Sequence, residues 1–169
     1  MKLFIIGLPG SGKSTFGKKL AEKLNLPFSD LDEVIERNSN QPIREIFAQR
    51  GEEVFRELEK EDLHQVASQP EAFVLATGGG APCFHDNMAL MNRVGTTLYL
   101  DVPVSTIIQR MQGSQITDRP LLHGLDQDRL VEEYTAKFEK RLPVYRQAHI
   151  IINQDTSIDE AVALLRAKS

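Results

Sequence analysis

Eight residues near the start of the chain, Gly7-Leu8-Pro9-Gly10-Ser11-Gly12-Lys13-Ser14, have the types and spacing of a phosphate cradle. They fit the pattern G-x-x-x-x-G-K-[S/T] in full, and the apolar run Lys2–Ile6 leads directly into them. Glycines in such a turn let backbone N–H groups wrap phosphate oxygens, and the N-terminus of the following helix adds partial positive charge. Lys13 would reach the outer phosphates of a nucleoside triphosphate, and the Ser14 hydroxyl would ligate Mg²⁺. The bland alternative is a glycine-rich strand-to-helix turn that holds nothing. A phosphate loop alone does not choose among kinases, switch GTPases and mechanical ATPases. The chain has no Asn-Lys-x-Asp segment to read guanine, and Phe73-Val74-Leu75-Ala76-Thr77 runs into Gly78-Gly79-Gly80 rather than an acidic residue. A metal-holding carboxylate must therefore come from elsewhere.

Ser29-Asp30-Leu31-Asp32 closes a second short run. Alternation along an extended chain would send Asp30 and Asp32 to the same side, and ligands of open α/β sheets sit beyond the carboxyl ends of the strands. One carboxylate could hold Mg²⁺, directly or through water, and the other could orient or deprotonate a hydroxyl. The competing reading is an Asx turn and helix cap, since Asp32 precedes the helical run Glu33-Val34-Ile35-Glu36. Gly78, Gly79 and Gly80 would let a backbone approach a ligand closely and offer N–H donors, or form a merely flexible loop. Arg56 and Glu59, three apart on one predicted helix, can act on one ligand or pair with each other. Arg119 sits in Thr117-Asp118-Arg119-Pro120-Leu121-Leu122, after the polar stretch Gln112–Thr117, which reads as a mobile loop. Arg141 precedes Leu142-Pro143-Val144-Tyr145-Arg146. Any one arginine is more often a solvated surface residue than a ligand. His64, His85, His123 and His149 show no metal-ligand spacing, and Cys83 reads as an ordinary small buried residue.

Such groups need a scaffold that brings the ends of several strands together. Five β-type runs, Lys2–Ile6, Pro27–Asp30, Phe73–Thr77, Thr96–Asp101 and His149–Asn153, alternate with helical patterns. Most are continuously apolar, as strands buried on both faces of a parallel sheet are. Helices are expected over Ser14–Leu24, from Pro42 to a stop at Gly51, from Glu52 into the Val66 region, over Asp126–Leu142, and around Ile158, Val162 and Leu165. The order argues for a layered α/β domain with a mainly parallel sheet. The 169 residues are enough for one domain, and a net charge of −4 gives no reason to expect nucleic acid or an anionic membrane as partner. The short apolar stub at the N-terminus does not read as a signal peptide, no run is long enough to span a membrane, and a lone cysteine suits a reducing cytoplasm.

Taken together the segments resemble the shikimate kinase family, from the phosphate loop to about Arg146. The resemblance is carried by Gly7–Ser14, the Asp30-x-Asp32 pair, Phe55-Arg56-x-x-Glu59, Gly78-Gly79-Gly80, Arg119-Pro120-Leu121-Leu122 and Arg141-x-Pro143-x-Tyr145-Arg146. It implies a three-layer P-loop kinase fold, a five-stranded mainly parallel sheet flanked by helices. A helical substrate-binding segment over about 31–61 and a lid over about 112–125 complete it. It implies that ATP is bound by Gly10, Ser11, Gly12, Lys13, Ser14 and Thr15, with Arg110 against the adenine, Arg119 as a lid arginine over the phosphates, and an adenine loop at Asn153-Gln154-Asp155-Thr156. Shikimate is expected on Asp32, Arg56, Gly78, Gly79, Gly80 and Arg141, with Arg56 and Arg141 gripping its carboxylate and Glu59 in support. A planar guanidinium fork suits that anion. Phe47 and Phe55 match apolar residues beside this pocket, although spacing alone fits a plain core equally well. Asp30 matches the Mg²⁺-side carboxylate acting through water, Asp32 the base for the attacking hydroxyl, and Lys13 and Arg119 the charges that stabilise transfer. The segment between Arg110 and Arg119 is slightly longer than in some members. The expected partners are ATP and shikimate alone, the expected state a monomer. The nearest enzymatic rival is a kinase for another polyol acid such as gluconate; a rival of another class is a nucleotide-sensing module without turnover.

Overall fold

Apolar runs without alternation bury both faces, and all five form strands of one sheet in the computed structural model, which describes residues 1–114 and 127–168. The elements in order are β1 (Lys2–Ile6), α1 (Lys13–Leu24), β2 (Phe28–Asp30), α2 (Leu31–Ser39), α3 (Ile43–Ala67), β3 (Phe73–Ala76), α4 (Asn87–Val94), β4 (Thr96–Asp101), α5 (Val104–Ser114), α6 (Gln127–Phe138), α7 (Leu142–Tyr145), β5 (Ile150–Asn153) and α8 (Ile158–Lys168). A 3-10 turn, Ala81–Cys83, follows β3. The strand order is β2-β3-β1-β4-β5, and every pairing is parallel. β1 is central, and Leu3, Phe4, Ile5 and Ile6 have no exposed surface. Full burial of each such side chain contributes about 1.5–3 kcal/mol. β5 is an edge strand and alternates, with Ile151 half exposed. No helix among the described residues is long and apolar enough to cross a membrane.

Strand boundaries fall within a residue of expectation, but several helices do not. Two helices, α4 and α5, are additions to the expected set. α5 runs through Gln112 and Gly113 to Ser114, so the start of the expected loop at 112 is helical; the rest of 112–125, with Arg119, lies outside the described residues. The single helix expected over Asp126–Leu142 is two: α6 ends at Phe138 and Arg141 is the N-cap of α7. Pro143 explains the break, because it has no N–H to give the carbonyl four residues back and its ring clashes there, yet it is tolerated in a first turn. Cys83 is half-buried rather than buried.

The stop expected at Gly51 is a kink within α3, where Gly51 holds φ 83° and ψ 170°. That region of backbone space belongs to glycine, and the turn re-aims the stretch that carries Phe55, Arg56 and Glu59. A Cβ there would touch nothing within 4 Å. Gly51→Ala is therefore expected to destabilise by backbone strain alone, about 1–3 kcal/mol, seen as a lower urea midpoint with an unchanged slope.

Candidate active site

β1, β3 and β2 lie side by side, and their carboxyl ends deliver the phosphate loop, Gly78–Gly80 and Asp30 to one place. A cavity of about 420 Å³ is lined there by Pro9, Gly10, Gly12, Lys13, Ser14, Thr15, Asp30, Asp32, Thr77, Gly78 and Gly79. Gly12 caps α1 at φ 94°. Lys13 is buried, and its Nζ donates to the carbonyls of Gly7 at 3.0 Å and Leu8 at 2.8 Å. Burial lowers its pKa to about 8, with Asp32 and Asp30 pulling the other way and Arg141 adding to the depression. The Ser11 hydroxyl is buried with no partner among the described residues.

Asp30 is both cap and site residue. One carboxylate oxygen accepts from the Asp32 N–H at 3.0 Å and caps α2; the other accepts from the Ser14 hydroxyl. The two alternatives open in the sequence are thus met by one side chain. The chain is helical from Leu31, so strand alternation is not what brings Asp30 and Asp32 to one cavity; the cap and first turn of α2 do it. Burial pushes the Asp32 carboxyl up, the Asp30 charge adds to this, and Lys13 opposes it.

The other half of the site surrounds Arg56, which is 8% exposed. Its guanidinium donates to Glu59 at 2.8 Å and reaches Glu52 at 3.4 Å. It lies 4.1 Å from the Phe84 ring centroid and 5.1 Å from that of Phe55. Glu59 has no exposure, and burial pushes its carboxyl up against the downward pull of Arg56. Arg56 Nε and one Glu59 oxygen are buried without partners among the described residues. Phe55 is buried, and Phe47, its ring centroid 4.5 Å from that of Phe55, is 38% exposed. Half-buried Arg141 packs over Phe138 at 4.7 Å, near enough to Glu59 and Lys13 for its charge to act on both.

The glycine run is packed against the protein's own groups. A Cβ on Gly80 would sit 2.5 Å from an Arg56 nitrogen, one on Gly79 2.6 Å from Pro9 Cδ, and one on Gly78 3.0 Å from an Asp32 oxygen and 3.2 Å from Glu59 Oε1. Close approach is required here, with Pro9 and Arg56 as the nearest neighbours. A second cavity, about 520 Å³, opens on the far side of the phosphate loop, where Arg110, Lys19, Gln154, Thr156 and Ser157 converge. Arg110 donates to the Ser11 carbonyl at 3.3 Å.

A family model described as Shikimate kinase matches residues 9–167. A curated shikimate kinase of Bacteroides fragilis is 45% identical over 161 residues, 95% of this chain and 89% of its own length. The chain belongs to the shikimate kinase family. Among solved structures, a shikimate kinase of Bacteroides thetaiotaomicron superposes with a TM-score of 0.83 at 40% identity, covering 99% of this chain and 96% of the other. A shikimate kinase of Acinetobacter baumannii, solved in complex with shikimate, gives 0.77 at 32% identity over 99% of this chain and 90% of its own. Of the residues that the shikimate kinase motifs singled out, Lys13, Ser14, Asp30, Asp32, Gly78 and Gly79 share one cavity, and Arg56, Glu59 and Gly80 adjoin it through the glycine run. Arg110 and Thr156 meet across the other cavity, and Arg119 lies outside the described residues. Sequence reasoning missed Thr77, Pro9 and Lys19. Thr77 adjoins the glycine run and Pro9 fills a variable position of the phosphate motif, so neither carries a pattern of its own, and Lys19 reads as an exposed lysine on α1.

Proposed function

We propose that this member of the shikimate kinase family moves the γ-phosphoryl group of ATP onto the 3-hydroxyl of shikimate, giving 3-phosphoshikimate and ADP on the route to chorismate and the aromatic amino acids. One observation carries this: the phosphate-loop cavity opens, across three glycines, onto a buried arginine held by a buried glutamate. A buried guanidinium with an unsatisfied N–H is a receptor for a small carboxylate, and its position next to the cradle sets an acceptor beside the terminal phosphate.

In this mechanism the phosphates of ATP lie on the N–H groups of Gly10 to Thr15, and Lys13 exchanges its carbonyl partners for the outer phosphates. The base packs beside Arg110 and the Gln154–Ser157 loop. Arg56 and Arg141 clamp the shikimate carboxylate, Glu59 holds Arg56 in register, and the Gly79 and Gly80 backbone approaches the ring. Asp32 orients the attacking hydroxyl and accepts its proton. Positioning of this kind is the main lever in phosphoryl transfer. From outside the described residues, the resemblance adds Arg119 as a further positive charge. Ser14 and Asp30 meet beside Lys13 and present hard oxygens, a set that suits Mg²⁺ when phosphate and water oxygens complete it. Ser14 would hold the ion directly and Asp30 through water, and when bound it neutralises phosphate charge. In this reading the chain works as one domain and as a monomer in the cytoplasm. The 31–61 segment carries the acceptor side.

Coupled ADP release with Mg·ATP, comparing shikimate, gluconate and no acceptor, tests this. Stimulation by shikimate alone is expected. An equal response to gluconate, or none to any acceptor while ATP still binds, would overturn it.

A further inference from the structure

Tyr145 has no exposed surface and ends the short helix α7. A phenol taken wholly out of water needs a hydrogen-bond partner, and this one finds it in the glycine run. Its O–H donates to the Gly79 carbonyl at 2.5 Å, and the Arg141 guanidinium is near enough for its charge to act on the phenol. α7 fixes the spacing between the two residues, because the Tyr145 N–H donates to the Arg141 carbonyl at 3.0 Å. The ring is held against Tyr99, centroids 5.2 Å apart, and Tyr99 sends its own hydroxyl to Asp101 at 3.0 Å. Gly79 in turn presses on Pro9 of the phosphate loop. One hydroxyl therefore joins the segment that carries Arg141 to the glycine run and, through Gly79, to the phosphate cradle.

We infer that Tyr145 is a positioning residue for the acceptor side: its hydroxyl ties the Gly79 backbone to the segment that carries Arg141, in register with the phosphate loop, so that both meet shikimate already ordered. The inference rests on the assignment of Gly79 and Arg141 to shikimate made above. Without the hydroxyl the ring still fills its place, but the Gly79 carbonyl loses its phenol partner and the segment that carries Arg141 loses its tie to the glycine run. The loss should then fall on the acceptor and spare the nucleotide, which is bound by groups that Tyr145 does not touch.

The test compares Tyr145→Phe, Tyr99→Phe and Arg141→Ala, measuring KM for shikimate and for ATP together with Tm. Tyr145→Phe is expected to raise the shikimate KM about three- to tenfold, the worth of one net hydrogen bond, with the ATP KM unchanged. Tyr99→Phe removes a hydroxyl from the same ring pair and should move Tm alone. If Arg141→Ala weakens shikimate but Tyr145→Phe moves only Tm, or weakens both substrates equally, the positioning role is wrong and the site assignment stands. If neither variant changes the shikimate KM, the assignment of Arg141 fails, and the inference fails with it.

Discussion

Asp32→Asn lowers kcat for transfer to shikimate by about 10²- to 10⁴-fold, the range supplied by a positioned base. The carboxyl lies in the phosphate-loop cavity beside Lys13 and Asp30, and burial together with the Asp30 charge raises its pKa. A raised pKa makes it a stronger base at working pH, and it places the acid limb of the activity profile above the ordinary carboxylate range. The sign of the stability effect follows. A carboxyl whose folded pKa exceeds its unfolded value costs stability while ionised, and that cost is relieved as pH falls through the folded pKa. The asparagine variant should therefore fold at least as stably as wild type at neutral pH, while ATP affinity is kept. Steady-state kinetics against pH, with a nucleotide titration, check both halves. A fall in kcat of less than about fivefold would remove Asp32 from the role of base.

Lys13→Met should abolish most turnover and yet raise Tm. Loss of one preorganised positive donor at the transferring phosphate lowers kcat by about 10²–10³-fold. Stability moves the other way, because burial holds Lys13 at a pKa of about 8 against 10.5 for a free lysine. Below pH 8 the folded protein carries a charge that it has desolvated, at a cost on the order of 3 kcal/mol. The two hydrogen bonds to Gly7 and Leu8 return part of this, about 1 kcal/mol each. From pH 8 to 10.5 wild type sheds the proton more readily than its unfolded chain does and gains stability, so the advantage of methionine shrinks across that window. Thermal melts at pH 7 and pH 10 measure the difference. A variant that melts below wild type at both would show that the lysine is not strained by its burial. ATP, with its dense negative charge, relieves in the complex what the free protein tolerates.

Much of the fold was legible because its signals are local. β1 is a run with no polar interruption leading into a complete phosphate motif, and a parallel strand buried on both faces has that appearance. α4 was not legible: it has eight residues, and its cap, Asp86, sits in a left-handed conformation with no side-chain capping bond. α5 ends in Gln112-Gly113-Ser114, whose composition reads as loop until packing decides otherwise. In the site, sequence identified the chemistry of Asp30 and Asp32 but not the division of labour by which Asp30 caps α2 with one oxygen and meets Ser14 with the other. The glycine run showed that something must come close. That Arg56 and Pro9 are what come close depends on tertiary contacts between α3, the loop after β1 and the run after β3, and no spacing along the chain encodes those.

The packing of Gly79 and Gly80 bears on how this pocket can change under selection. Any substitution at either position adds at least a methyl group, into Pro9 in one case and into the Arg56 guanidinium in the other. A competitive inhibitor that leans on this stretch of backbone meets a surface with no neighbouring sequence to escape to, since the smallest change damages the cradle or the carboxylate receptor. Exposed Phe47, whose ring packs on Phe55 beside Arg56, is under no such constraint. An inhibitor that draws its hold from Phe47 is open to change there, and one confined to the glycine run should be the more durable.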